Sequence, residues 1–186
     1  MFYENMIMGM NLLEQCIEMD IDKVIAVSTT CMYPAETPVP FQEKDLWNGF
    51  PESTNAPYGI AKRALLVMGQ AYRRQYNLSV VVPILANLYG PGEKTDRFAN
   101  HVIMGIMQTM HQAKVDGKGV VTLWGTGAPT RDFLYVDDCA KALAVAGEKY
   151  DTQYPVNLGS GKEVTMKRLA LEVADVVGYG DEVVWD

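Results

Sequence analysis

Apolar residues recur at helical spacing through Met6, Met10, Leu13 and Ile17, which predicts an amphipathic helix over residues 2–19. Residues 23–28 (KVIAVS) form a short apolar run and read as a buried strand. Residues 29–57 hold five prolines among polar residues and read as a long loop, the kind of segment that carries function in α/β domains. Ala61, Leu65, Met68 and Tyr72 then share one face of a helix over 58–76. A second buried strand follows at 79–85, and a turn at Gly90, Pro91 and Gly92. Val102, Ile106 and Met110 mark a helix over 100–113. Strands are predicted at 120–124, 133–136, 156–158 and 182–185. Asp137 and Thr165 read as caps of helices reaching Lys149 and Val177.

Helices alternating with apolar strands imply an α/β domain with a parallel sheet and right-handed crossovers. A doubly wound domain opens on a strand and a glycine turn that receives cofactor phosphates. This sequence opens on a helix, and its two G-x-G pieces, at 125–127 and 159–161, lack the third glycine and the strand–turn–helix setting.

Composition narrows the function. The 186 residues suffice for a core, and 48% apolar with 21% charged content excludes disorder. A net charge of −7 speaks against binding nucleic acid or an anionic membrane. Cys16, Cys31 and Cys139 are odd in number and form no C-x-x-C, so neither a disulfide framework nor a metal site is expected, and a reducing, cytoplasmic setting fits. No basic residue precedes the first apolar stretch, so no signal peptide is expected, and no run reaches membrane-spanning length.

Tyr58 and Lys62 are four residues apart, so on a helix both side chains leave the same face. An ammonium beside a phenol favours the phenolate, which makes the pair an acid/base for a hydroxyl or carbonyl oxygen. Alone, the spacing equally describes a surface pair. The hydroxyl residues Ser28, Thr29 and Thr30 change that, because they end a strand where ligands of open α/β sheets sit.

These residues resemble a family. Ser28-Thr29-Thr30, Pro57-Tyr58-Gly59-Ile60-Ala61-Lys62 and Asn87-Leu88-Tyr89-Gly90-Pro91 look like an extended short-chain dehydrogenase/reductase of the NAD-dependent epimerase/dehydratase family acting on a nucleotide sugar. The finer similarity is to the GDP-L-fucose synthases. It rests on Cys31-Met32-Tyr33-Pro34, Pro51-Glu52-Ser53-Thr54-Asn55-Ala56-Pro57-Tyr58, Asn100-His101-Val102-Ile103 and Arg131-Asp132-Phe133-Leu134-Tyr135-Val136-Asp137-Asp138. Cys31 and His101 discriminate most, since a dehydratase has an acidic pair after the hydroxyl residue.

The resemblance implies a partial doubly wound (Rossmann-like) parallel sheet without the N-terminal βαβ units, together with part of a C-terminal substrate domain. Residues 1–90 and about 132–158 would build the sheet, and about 91–131 and 159–186 the substrate region. It implies 3,5-epimerisation of a 4-keto sugar and NADPH-dependent reduction at C4. Thr29 would hold the 4-oxygen, Tyr58 supply its proton and Lys62 bias Tyr58 and bind the nicotinamide ribose. Cys31 would be the base and His101 the acid of epimerisation. Val27, Ser28, Thr29, Thr30, Lys62, Leu85, Ala86, Asn87, Leu88 and His101 would line the NADP(H) site, and Trp124 and Arg131 the nucleotide-sugar site, a GDP-sugar first of all. Without the phosphate-binding turn, weak or partner-dependent cofactor binding is expected, with a homo-oligomer or a partner along an unpaired sheet edge. Leu85-Ala86, Thr109 and Ser28 depart from the family pattern. An inactive fragment or interaction module, and a nucleotide-sugar 4-epimerase, stay open as alternatives.

Overall fold

The computed structural model describes residues 1–93 and 101–186, and the chain divides into two compact units. The first comprises Met1–Ala86 and Asp137–Gly159, the second Asn87–Val136 and Ser160–Asp186.

In the first unit α1 (Phe2–Glu18) precedes β1 (Lys23–Ile25) and β2 (Ser28–Thr29). Helix α2 (Ala56–Tyr76) crosses over to β3 (Ser79–Val81) and β4 (Pro83–Leu85), and α4 (Val136–Lys149) leads to β8 (Val156–Leu158). All pairings are parallel: β1 with β3, β2 with β4, and β4 with β8. The runs expected as single strands at 23–28 and 79–85 are each interrupted. Pro83 has no N–H to give the ladder, and the bond from Ala26 N–H to the Val81 carbonyl (2.8 Å) carries the pairing across the break. Leu13, Leu65, Leu66, Leu78, Val80 and Ile84 form the core beneath, with α1 and α2 on it.

The loop over 29–57 is more ordered than its composition predicts. It contains short 3-10 turns at Thr30–Met32 and Glu43–Trp47, closes on itself through a bridge between Pro34 and Pro51, and buries Leu46 completely. Asn157 on β8 pins it: its N–H donates to Glu43 Oε1 (2.8 Å), its amide to the Phe41 carbonyl (3.0 Å), and its Oδ1 accepts from the Tyr33 hydroxyl (2.8 Å).

In the second unit β5 (Asn87–Tyr89) pairs in parallel with β7 (Thr130–Tyr135), and β9 (Glu163–Thr165) pairs antiparallel on the other side of β7. The expectation of parallel pairing alone fails at β9, a strand too short to leave a periodic signal. Separately, β6 (Val120–Leu123) pairs with β10 (Glu182–Trp185). Helices α3 (Val102–Asp116) and α5 (Met166–Val177) share a core of Ile106, Met110, Val121, Leu169 and Val173. Helix α3 ends at Gly117, whose φ of +65° is the left-handed cap that glycine accepts. Asn100, expected to open this helix, lies outside the described residues. Thr165 caps α5, its Oγ1 accepting from Arg168 N–H (3.1 Å). Asp137 lies inside the first turn of α4 rather than at its cap, where with Asp138 it complements the positive helix end. Among the described residues no helix is long and apolar enough to cross a membrane.

Candidate active site

The first unit gathers most of the residues that the sequence marks. Strand β2 ends at Thr29, in register with Leu85 at the end of β4, and the chain then folds into the Thr30–Met32 turn. Thr29 Oγ1 accepts from Cys31 N–H (3.3 Å), so the hydroxyl and the thiol-bearing residue are held together at the carboxyl end of the strand. Helix α2 starts at Ala56, two residues earlier than its apolar spacing predicts, because Pro57 is well suited to a first helical turn. It lies directly on the Cys31 peptide. A methyl group on Gly59 would overlap the Cys31 carbonyl oxygen and meet Pro51, so only glycine permits this approach. Tyr58, one residue earlier and half-buried, is thereby fixed beside Cys31.

Lys62 sits one turn further along α2. Its Nζ donates to the Val27 carbonyl (3.1 Å) and lies 5.8 Å from the centre of the Tyr58 ring. The sequence reading expected this ammonium to lower the Tyr58 pKa. The structure reverses that: burial of the phenol, and then the charge of Cys31, push Tyr58 above the usual tyrosine value, while burial pulls Lys62 below the usual lysine value. Lys62 is turned towards a carbonyl, and withdrawal of the phenol from water outweighs its attraction. Tyr58 is therefore a neutral phenol at physiological pH, a proton donor rather than a base.

Of the remaining residues marked in this unit, Thr30 and Ala86 are partly exposed and Val27 is exposed. Ser28 and Leu85 are buried, the Ser28 hydroxyl against the Met32 sulfur. These two face the interior in this form.

The second unit holds a cavity of about 220 Å³ whose lining includes Asn87, Leu88, His101, Arg131, Phe133 and Met166. Pairing of β5 with β7 sets Asn87 opposite Phe133, and the Asn87 amide donates to the Asp132 carbonyl (3.0 Å). His101 is the residue before α3, with its N–H on Glu93 Oε1 (3.2 Å) and its side chain exposed. Arg131 projects from β7 and donates from Nη1 to the Thr130 carbonyl (2.8 Å). Asn87, Leu88, His101 and Arg131, from three separate parts of the sequence, thus share one cavity. Trp124 does not join them; it follows β6 and is 89% exposed. Thr109 lies instead on a more open groove between α3 and β6 and bonds the Gly105 carbonyl (2.8 Å).

Two residues that shape this centre have no role in the sequence analysis: Gly59, quoted there only within its motif, and Arg63 lie with Leu66 on the buried face of α2. An arginine inside an otherwise apolar or small-residue stripe is the signal that marks it, since a buried guanidinium needs a specific reason.

Residues 1–159 match the model of the NAD dependent epimerase/dehydratase family. A GDP-L-fucose synthase of Sinorhizobium fredii is 38% identical over 184 residues, covering 99% of this chain and 59% of that protein. A solved GDP-L-fucose synthetase of Naegleria fowleri superposes with a TM-score of 0.89 at 28% identity, over 98% of this chain and 58% of the other. A GDP-mannoheptose C4 reductase of Campylobacter jejuni, solved with NADP bound, gives 0.91 at 25% identity, over 100% and 66%. The chain spans about half to six-tenths of the length of the curated relatives it matches. By the family model, which covers most of its length, the chain belongs to the NAD-dependent epimerase/dehydratase family.

Proposed function

We propose that this chain carries the catalytic residues of a nucleotide-sugar epimerase/reductase of the GDP-L-fucose synthase type, working on a GDP-linked 4-keto sugar with NADP(H). The observation that carries the reading is the packing of α2 at Gly59 against Cys31, which sets Tyr58 beside the Thr30–Met32 turn as a neutral phenol, with Lys62 on the Val27 carbonyl. The names of the relatives support the substrate class, and the neighbour solved with NADP supports the cofactor.

The residues present fit a nicotinamide nucleotide. Lys62 uses one of its three N–H donors on Val27, which leaves two for ribose hydroxyls. Val27 and Thr30 flank the end of β2 and Ala86 follows the neighbouring end of β4, and each leaves atoms exposed. Bound NADPH supplies the hydride for reduction at C4. Thr29 hydrogen-bonds the 4-oxygen, and Tyr58 donates the proton that turns it into a hydroxyl, a role that requires the phenol form found here. Epimerisation uses the acidity of protons α to the ketone. Cys31 as thiolate removes a proton from one face of the carbon, the electron pair passes to the 4-oxygen, and His101 as acid returns a proton to the other face. Arg131 offers a forked cation to the nucleotide phosphates, and Trp124 an exposed aromatic face to the base.

A reducing, cytoplasmic setting suits a working thiol at Cys31. Self-association also belongs to the reading: Met8, Leu12 and Met19 expose one apolar stripe along α1.

The test is NADPH consumption with a GDP-linked 4-keto sugar. Tyr58→Phe lowers it by about 100-fold or more, the loss of a general acid. Because Tyr58 titrates above its ordinary value of 10.0, its share in the reduction persists through neutrality and is lost only as the pH rises beyond that value. Loss of C4 reduction between pH 7 and 9 with a sugar already epimerised, and with retained fold, contradicts the assignment of Tyr58.

A further inference from the structure

Arg63 follows Lys62 on α2 and is only 7% exposed. Its Nε donates to the Met32 carbonyl (2.7 Å) and its Nη1 to the Gly49 carbonyl (2.9 Å), while the guanidinium lies 5.5 Å from the centre of the Trp47 ring. Its Nη2 is buried with no hydrogen-bond partner. The bonds go to two main-chain carbonyls rather than to a carboxylate, so among the described residues the positive charge is buried without a counter-ion, an arrangement that costs stability. An apolar side chain of similar length would fill the space at lower cost, as Leu65 and Leu66 do beside it. What the guanidinium adds is a rigid planar fork that fixes two carbonyls at set angles.

Those carbonyls matter because of what lies between α2 and the loop. Met32 ends a three-residue 3-10 turn, a conformation with weak internal bonding and a free terminal carbonyl. Arg63 occupies that carbonyl. The neighbouring Cys31 carbonyl is packed against Gly59, and the Cys31 N–H is held by Thr29. The main chain that carries the thiol is thus held from α2 and from β2, and Arg63 supplies an anchor that also reaches Gly49 of the outer loop.

We infer that Arg63 is the positioning residue for Cys31. It locks the thiol-bearing turn to the helix that carries Tyr58 and Lys62, so proton abstraction from the sugar depends on it although it touches no reacting atom. The inference rests on the reading of Cys31 as the epimerisation base. Abstraction of a carbon-bound proton is sensitive to sub-ångström placement, whereas delivery of a proton from Tyr58 uses a residue fixed by its own helix.

The experiment compares the unaltered chain with Arg63→Lys and Arg63→Gln. Alkylation by iodoacetamide is followed at each cysteine by mass spectrometry, with buried Cys16 and Cys139 reporting on folding. We expect Cys31 to react about fivefold faster or more in Arg63→Gln, with a smaller change in Arg63→Lys and with Cys16 and Cys139 still protected. With a GDP-linked 4-keto sugar in D2O, kcat for deuterium uptake falls about tenfold at unchanged KM, and reduction at C4 falls by less than about threefold. Cys31 reactivity unchanged in both variants overturns the inference. So does simultaneous exposure of all three cysteines, which makes Arg63 a stability residue only, and so does an equal loss of uptake and reduction. The alkylation needs no substrate, so absence of turnover by the unaltered chain counts against the functional reading and not against the positioning role.

Discussion

Gly59 is the residue on which the candidate centre closes. The carbonyl it faces is backbone and cannot swing aside, so Gly59→Ala forces α2 away from the Thr30–Met32 turn. Urea unfolding should show a loss of about 1–3 kcal/mol, the range for overpacking a tight contact. Unchanged stability would mean that helix and turn part easily and that Tyr58 is not fixed against Cys31. The four-residue spacing of Tyr58 and Lys62 was legible in the sequence because it is a property of one helix. The direction of the Tyr58 pKa shift was not, because it depends on burial and on Cys31, which lies elsewhere in the sequence. The roles of Gly59 and Arg63 were hidden for the same reason: their partners, Cys31, Met32 and Gly49, lie elsewhere in the sequence.

Among the elements, the long amphipathic helices and the strands β6, β8 and β10 were legible, and β5 and β9 were not. Leu13 and Cys16 in α1, and Ala61 and Leu65 in α2, are buried as their spacing requires. Strands β5 and β9 are three residues each, too short for alternation to register, and exist because β7 lies between them. The loop over 29–57 owes its order to tertiary hydrogen bonds, above all the Tyr33 hydroxyl on Asn157. Burial holds the Tyr33 pKa at about 12 against an ordinary 10.0. The fold favours the phenol, so this contribution is complete below pH 10.0 and is lost as the pH climbs through about 12. Tyr33→Phe should therefore cost about 1 kcal/mol at neutral pH and make the alkaline loss of stability shallower, as followed by circular dichroism across that range. An alkaline limb identical in both proteins would show that Tyr33 is not its source.

At the scale of the molecule, alternation of helices and apolar runs pointed to a parallel α/β fold, which holds throughout the first unit. The antiparallel β9 of the second unit lay beyond it. The exposed stripe of Met8, Leu12 and Met19 belongs to the same scale: light scattering should give a mass above the 20.7 kDa of one chain, and Met8→Glu with Leu12→Glu should return it to that value. A monomer at micromolar concentration excludes self-association through α1.

The account stands most directly on proton exchange at the sugar, a redox-neutral reaction that can be followed without hydride transfer. A GDP-linked 4-keto sugar is incubated with the chain in D2O and weighed by mass spectrometry. Each epimerised carbon exchanges its hydrogen with solvent, so the account predicts a gain of about two mass units, abolished in Cys31→Ser and retained in Tyr58→Phe. A sugar of unchanged mass in the unaltered chain, or full exchange by Cys31→Ser, would contradict it.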